Sequence, residues 1–298
     1  MSEYLPVFSS TNGQDETLRA YQSVLDRWTA PYEEIYVSTS FGDTHLIASG
    51  PINAPPVLLF HAMFASAAVW YPNAGALSAH YRTYAVDILG EPGKSRPTQP
   101  IKSLDDFLHW FVELTQGLNV DEMYLVGNSM GAFLSTYFTM KLPDRVLKLA
   151  LIGPAATLHQ IFPFYLHVFF PKIISMILPK MPGIQRLVFG GVDWMHSGLP
   201  EDPAWATLFR QIMLHGISTN QVFPRVYSKE EFGLIKTPVL LLIGDRERIY
   251  RAEKVIPIAR RMISHLEIEI IPNAHHITAL ANPEVVNDRI LKFFCQGT

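Results

Sequence analysis

Met123-Tyr-Leu-Val126-Gly127-Asn-Ser129-Met-Gly131-Ala132-Phe-Leu-Ser-Thr-Tyr137 is the stretch on which the reading of this chain turns. An apolar run of strand length enters a Gly-x-Ser-x-Gly pentapeptide, and a helix-forming run leaves it. A strand-to-helix turn that tight has no room for side chains two residues either side of the serine, and glycine meets that need. The serine is then held strained, with its hydroxyl exposed. Two glycines around a serine also occur in ordinary turns. The position after a buried strand and before a helix is what makes Ser129 a candidate nucleophile, and the helix start favours negative charge developing there.

Working outward, strand-like runs lie at Glu34–Ser40, Thr44–Ser49, Pro56–Phe60, Tyr84–Leu89, Met123–Gly127, Leu147–Ile152, Val239–Ile243 and Leu266–Ile271. The first two alternate in polarity. Val57-Leu-Leu-Phe60 and Val239-Leu-Leu-Leu-Ile243 are continuous apolar runs, which suit parallel strands covered on both faces. Helical stretches at Leu104–Leu118, Gly131–Lys141, Arg251–Ile263 and Pro283–Phe294 separate the later strands. This alternation predicts an α/β fold, a mostly parallel eight-stranded sheet with helices on both faces. The pattern fails once, from Ala156 to Phe232, where aromatics, methionines and prolines replace strand signal. The chain therefore divides into core 1–155, a helical insertion 156–232 and core 233–298.

Chemistry in such a sheet belongs in the loops at the carboxyl ends of the strands. Leu58-Leu-Phe-His61-Ala62-Met63-Phe64 runs from a strand into a loop of the kind that supplies a second backbone N–H to an oxyanion, beside the one following the nucleophile. Met63 and Met130 are the expected donors, with Phe64 next. Ile243-Gly244-Asp245-Arg246-Glu247-Arg248 carries two carboxylates after a strand, and composition does not choose between them as the group that orients an imidazole. Pro272-Asn-Ala-His275-His276 places two histidines after the last strand. Neighbouring side chains in an extended loop point apart, so at most one of the pair faces Ser129 as a general base.

Bulk properties agree with a large folded core. The 298 residues are 48% hydrophobic and 17% charged, which excludes disorder. Lys plus Arg number 24 against 27 for Asp plus Glu, with no basic run, so nucleic acid is not an expected partner. The single Cys295 forms no internal disulfide, and Met1-Ser-Glu-Tyr-Leu-Pro lacks the regions of a secretory signal, so a cytoplasmic location is expected. Ile161–Leu178 is apolar enough to raise the question of a membrane span. Pro163, Pro171, His167 and Lys172 interrupt it, so no stable insertion is expected. A buried or substrate-facing segment accounts for it better, with contact to a membrane surface as the remaining reading.

Taken together these motifs resemble the α/β-hydrolase family, in particular bacterial carboxylesterases whose acid is glutamate, from about Tyr36 to Phe294. The order serine, acid, histidine is that family's. His61-Ala62 stands where the family has His-Gly, and Asp87-Ile-Leu-Gly90-Glu-Pro-Gly93-Lys-Ser95 resembles its Asp-x-x-Gly-x-Gly-x-Ser loop with one added residue. The resemblance implies Glu247 as the acid, three residues after Gly244, and His276 as the base, seven residues before Pro283-Glu284. It also implies that 156–232 is a cap. The expected chemistry is attack by Ser129 on an acyl carbonyl, with no metal or organic cofactor. Cap aromatics such as Phe164 and Trp194, with Phe64 below them, are candidate substrate contacts, and the scarcity of charge there points to apolar esters. Thioesterase, amidase, aminopeptidase and C–C hydrolase activities share the same triad, and a hydrolase-like receptor with little turnover is the rival of another class.

Overall fold

The structure is a computed structural model that describes residues 3–178, 181–196 and 202–296. Helix α1 (Thr11–Leu25) precedes strands β1 (Tyr32–Thr39), β2 (Gly42–Ser49) and β3 (Pro56–Phe60). A short 3-10 turn then leads into α2 (Tyr71–Ser78), β4 (Arg82–Val86), the two-residue β5 (Arg96–Pro97) and α3 (Leu104–Gly117). The nucleophile segment is β6 (Met123–Asn128) and α4 (Met130–Lys141), followed by β7 (Val146–Ile152). Next come α5 (Phe162–Phe164), a π-helical turn over Tyr165–Phe169, α6 (Phe170–Ile177), α7 (Ile184–His196), α8 (Pro203–His215) and α9 (Lys229–Phe232). The chain closes with β8 (Val239–Gly244), α10 (Ala252–Met262), β9 (Leu266–Ile271), α11 (Thr278–Ala281) and α12 (Pro283–Cys295).

The main strands form one open sheet in the order β1-β2-β4-β3-β6-β7-β8-β9, with β5 paired to β2. Pairings of β2 with β1, β4 and β5 are antiparallel, and all others are parallel. The continuous apolar runs are where they were expected: Val57–Phe60 of β3 and every residue of β8 are buried. Strand β4 neighbours β3 on one side while β6 flanks it on the other, so the chain changes direction there. The carboxyl ends of β3 and β6 therefore frame the crevice in which such sheets bind ligands.

Aromatic packing fixes α4, the helix that starts beside Ser129. Phe138 on α4 stacks on Phe111 of α3 with ring centroids 4.1 Å apart, and Phe60 of β3 meets both edge-on. Each such buried ring contributes about 1.5–3 kcal/mol, which holds α4 against the crevice. The loop after β4 is pinned by buried Asp87. Its carboxylate accepts from the amides of Ala67 (2.6 Å) and Lys94 (2.9 Å), from His45 (2.9 Å) and from the Tyr21 hydroxyl (3.2 Å). Burial pushes this carboxyl up, but the bond and charge of His45 outweigh it and hold it below the ordinary range. Because Asp87 turns inward to collect these donors, β4 ends at Val86 rather than running on to Leu89.

The insertion is helical and unevenly anchored. Helix α8 packs on α1, and its N-cap Asp202 is bound by Arg27 and Tyr71 of the core. Helices α6 and α7 pack mainly on each other and on the π-helical turn. The apolar stretch Ile161–Leu178 is one helical run that buries Val168, Pro171 and Lys172 but leaves Phe162, Leu166 and Phe170 exposed. It is thus only partly the buried segment that its composition suggested. No helix among the described residues is long and apolar enough to cross a membrane. Residues 179–180 and 197–201 of the insertion lie outside the described residues.

Candidate active site

Ser129 sits between β6 and α4 with φ 54° and ψ −109°, a region that non-glycine residues rarely occupy. The strain is imposed from both sides. A Cβ on Gly127 would lie 2.4 Å from the Gly131 carbonyl oxygen, and one on Gly131 would lie 2.1 Å from that of Phe60. Only glycine lets strand and helix approach so closely. The Gly131 amide also donates to the His61 carbonyl (3.0 Å), which ties the turn to the loop after β3.

The structure brings Ser129, His276 and Glu247 together from three strand ends. The Ser129 hydroxyl donates to His276 Nε2 at 2.8 Å, and His276 Nδ1 donates to Glu247 Oε2 at 2.9 Å. A carboxylate only accepts, so the Nδ1 proton faces Glu247 and leaves Nε2 free to accept from the serine. Both partners are almost fully buried, at 3% and 1% side-chain exposure, so this pair works with little solvent screening. The second Glu247 oxygen accepts from the Ile249 amide at 2.9 Å, which fixes the carboxylate. The alternatives left open by composition have other partners. Exposed Asp245 accepts from the Ala274 amide (3.1 Å), and His275 Nδ1 donates to the Arg246 carbonyl (2.6 Å). Both of those bonds shape the loop rather than reach Ser129.

Met63 and Met130 border the same cavity as Ser129. Neither amide finds an acceptor among the described residues, so both remain available to an oxyanion. The Phe64 amide is not available, because it donates to Glu91 Oε2 at 3.0 Å. Phe64 itself has φ 54°, and its ring is buried. Sequence reasoning missed Glu91, which occupies a variable position of the loop after Asp87. Its other oxygen accepts from Ser218 (2.6 Å) and Asn220 (3.3 Å), so one buried carboxylate joins the Met63–Phe64 loop to the chain returning from the insertion. Burial pushes the Glu91 carboxyl up, against the pull of the Ser218, Phe64 and Asn220 donors. A carboxylate standing between Gly90 and Gly93 was the available signal. His61 holds the same loop from within, donating from Nδ1 to the Ala62 carbonyl (2.8 Å) and accepting the Ile88 amide at Nε2 (3.0 Å). Burial lowers its pKa, which suits a neutral ring in that role.

The cavity against Ser129 is apolar and nearly closed, with about 10 Å³ open to a water-sized sphere, lined by Met63, Met130, Ile161, Phe164, Pro224 and Ile249 among others. Ligand sites usually run from about 300 Å³ upward, so an ester must displace side chains from the insertion to reach Ser129. Phe164 is thus at the cavity. Phe64 and Trp194 are not among its lining residues: Lys172 Nζ lies 5.8 Å over the Phe64 ring, and Trp194 stacks on His167 at 4.6 Å.

A strained serine at a strand–helix turn, a buried histidine and acid from later strand ends, and a mostly parallel open sheet define an α/β-hydrolase. The sequence profile of the alpha/beta hydrolase fold matches residues 55–191, and the chain belongs to that family. It is similar to carboxylesterase YbfK of Bacillus subtilis, at 33% identity over 94% of this chain and 93% of the relative. The uncharacterized carboxylesterase nap of the same organism is 32% identical over the same shares. The crystal structure of the B. subtilis naproxen esterase superposes with a TM-score of 0.86 at 29% identity, covering 96% of this chain and 99% of that one.

Proposed function

We propose that this chain is a carboxylesterase that cleaves apolar carboxylic esters through an acyl-enzyme on Ser129. The hydrogen-bonded run Ser129–His276–Glu247 is the observation that supports this most strongly. Ser129 Oγ attacks the acyl carbon while its proton passes to His276 Nε2, and Glu247 stabilises the resulting imidazolium. The Met63 and Met130 amides receive the oxyanion, each worth on the order of 3 kcal/mol of barrier. The intermediate collapses, the alcohol leaves with the proton from His276, and water repeats the cycle to release the acid. Every proton and electron pair in this sequence is handled by the chain's own groups. Segment 156–232 acts as a cap whose inner face, through Ile161 and Phe164, limits the acyl or alcohol group. We place the enzyme in the cytoplasm, in keeping with its single cysteine.

Two tests address this reading. In a panel of p-nitrophenyl esters of rising chain length, Phe164→Ala should shift the preference toward longer chains. Apolar pockets discriminate by about 1–3 kcal/mol per methylene, so the ratio of kcat/KM between neighbouring esters should move by roughly tenfold or more. An unchanged profile with only a lowered Tm would make Phe164 structural core. The second test concerns the acid. Glu247→Gln should lower kcat by roughly 10³–10⁴, as a wrongly held imidazole does in serine proteases, whereas Asp245→Asn should stay within a fewfold of the parent. The opposite ranking would assign the wrong carboxylate.

A further inference from the structure

The carboxylate of Glu91 lies where the loop after β3 meets the chain returning from the insertion. It is 2% exposed, and its partners are neutral donors. One oxygen accepts the Phe64 amide (3.0 Å), and the other accepts the Ser218 hydroxyl (2.6 Å) and the Asn220 side-chain amide (3.3 Å). Burying a carboxylate without an opposite charge is costly, and donors of this kind are what keep one there. A loop that needed only a rigid corner could use a backbone carbonyl as the acceptor. The use of this acid lies in what it connects.

On one side it holds the expected oxyanion loop. Peptide units are planar and trans, so a carbonyl and the N–H of the next residue point in opposite directions. The Ala62 carbonyl accepts from His61 Nδ1 (2.8 Å) and from the Ala65 amide (3.2 Å), which turns the Met63 N–H away from both. Glu91 holds the following peptide by the N–H of Phe64, whose φ of 54° persists only where the surroundings impose it. Met63 is thus fixed through the peptides before and after it. On its other side Glu91 is bound by the chain returning from the insertion. Ser218 and Asn220 flank Thr219, whose amide donates to the Gly90 carbonyl (2.8 Å), while Asn220 Nδ2 also donates to the Leu89 carbonyl (3.0 Å). Gly90 permits this approach, since a Cβ there would lie 2.3 Å from Asn220 Oδ1.

We infer that Glu91 is a positioning residue for the oxyanion site, setting the Met63 amide through Phe64 and tying its placement to the insertion through Ser218 and Asn220. An oxyanion donor is effective only when it is aimed in advance at the place where charge develops. The insertion must give way for an ester to reach Ser129, and Glu91 is the group through which that movement acts on the donor. The inference rests on the esterase reading and adds to it a residue that touches neither the triad nor the substrate.

The test compares the full-length parent with Glu91→Ala, Glu91→Gln, Ser218→Ala and Arg27→Met. Each is assayed on a short p-nitrophenyl ester and with a trifluoromethyl ketone, which adds to the nucleophile as an oxyanionic hemiketal. Glu91→Ala should lower kcat by about tenfold or more, short of the roughly 10²–10³ that an absent donor costs, with KM within about twofold. Its Ki for the ketone should rise by about the factor by which kcat falls, because both report binding of the oxyanion. Glu91→Gln keeps an oxygen for the Phe64 amide and should return kcat to within about fivefold of the parent. Ser218→Ala removes the shorter bond to the insertion and should lower kcat by about threefold or more. Arg27→Met unties the insertion at Asp202 instead, so kcat and Ki should stay parental even where Tm falls. The inference is overturned if Glu91→Ala lowers Tm alone, or if Arg27→Met matches Ser218→Ala in kcat. Should Glu91→Ala not fold, Ser218→Ala decides, and parental kcat and Ki in that variant overturn the inference. A parent protein without turnover overturns the esterase reading and this inference together, whereas an active parent matched by Glu91→Ala overturns the inference alone.

Discussion

Ser129→Ala should abolish esterase turnover, with kcat on a p-nitrophenyl ester falling by roughly 10⁵–10⁶, the scale on which serine hydrolases lose activity with their nucleophile. The cause is local. The Ser129 hydroxyl is the group that the elbow projects toward the cavity, and it is already hydrogen-bonded to His276 Nε2 at 2.8 Å. Alanine keeps the φ of 54° at little added cost in volume, so the variant should fold and show near-parental Tm. Any remaining rate, about 10³–10⁴ over water in comparable enzymes, would come from the oxyanion donors and substrate binding alone. A variant retaining more than about a tenth of parental kcat would remove the basis of the mechanism.

His276→Ala should have an effect of the same order, because serine and base act as one unit and either loss disables the pair. His275→Ala is the contrast. Its ring donates to the Arg246 carbonyl and is buried, so its loss should loosen the loop and lower stability by about 1–3 kcal/mol with kcat changed only modestly.

The elbow was legible because its cause is backbone sterics. A Gly-x-Ser-x-Gly between an apolar run and a helix leaves few other readings, and the close approaches at Gly127 and Gly131 are its physical content. The strands β3, β6 and β8 were legible because burial on both faces writes itself as uninterrupted apolar residues. Helix α1 was missed for the converse reason: its buried face is Gly13, Thr17, Ala20, Tyr21, Val24 and Leu25, so the apolar rhythm begins only at Ala20 and spans less than two turns. The choice between His275 and His276, and between Asp245 and Glu247, lay beyond composition. It depends on which side of a loop each side chain leaves, and that is set by bonds to Arg246, Ala274 and Ile249 that sequence alone does not show. The aromatics of 156–232 show the same limit. Phe164 borders the cavity while Phe162, two residues earlier, faces outward, and Trp194 is taken up by His167.

One measurement bears on Ser129 as the activated nucleophile more directly than any rate. A fluorophosphonate probe reacts with a serine hydroxyl only where a base removes its proton and an oxyanion site receives the P–O⁻, which is the arrangement proposed here. The parent protein treated with such a probe should gain a single adduct mass, stop hydrolysing esters in proportion to labelling, and yield the adduct on the peptide that contains Ser129 when digested and sequenced by mass spectrometry. An adduct on another residue, or a protein that goes on hydrolysing esters while Ser129 stays unmodified, would contradict the account.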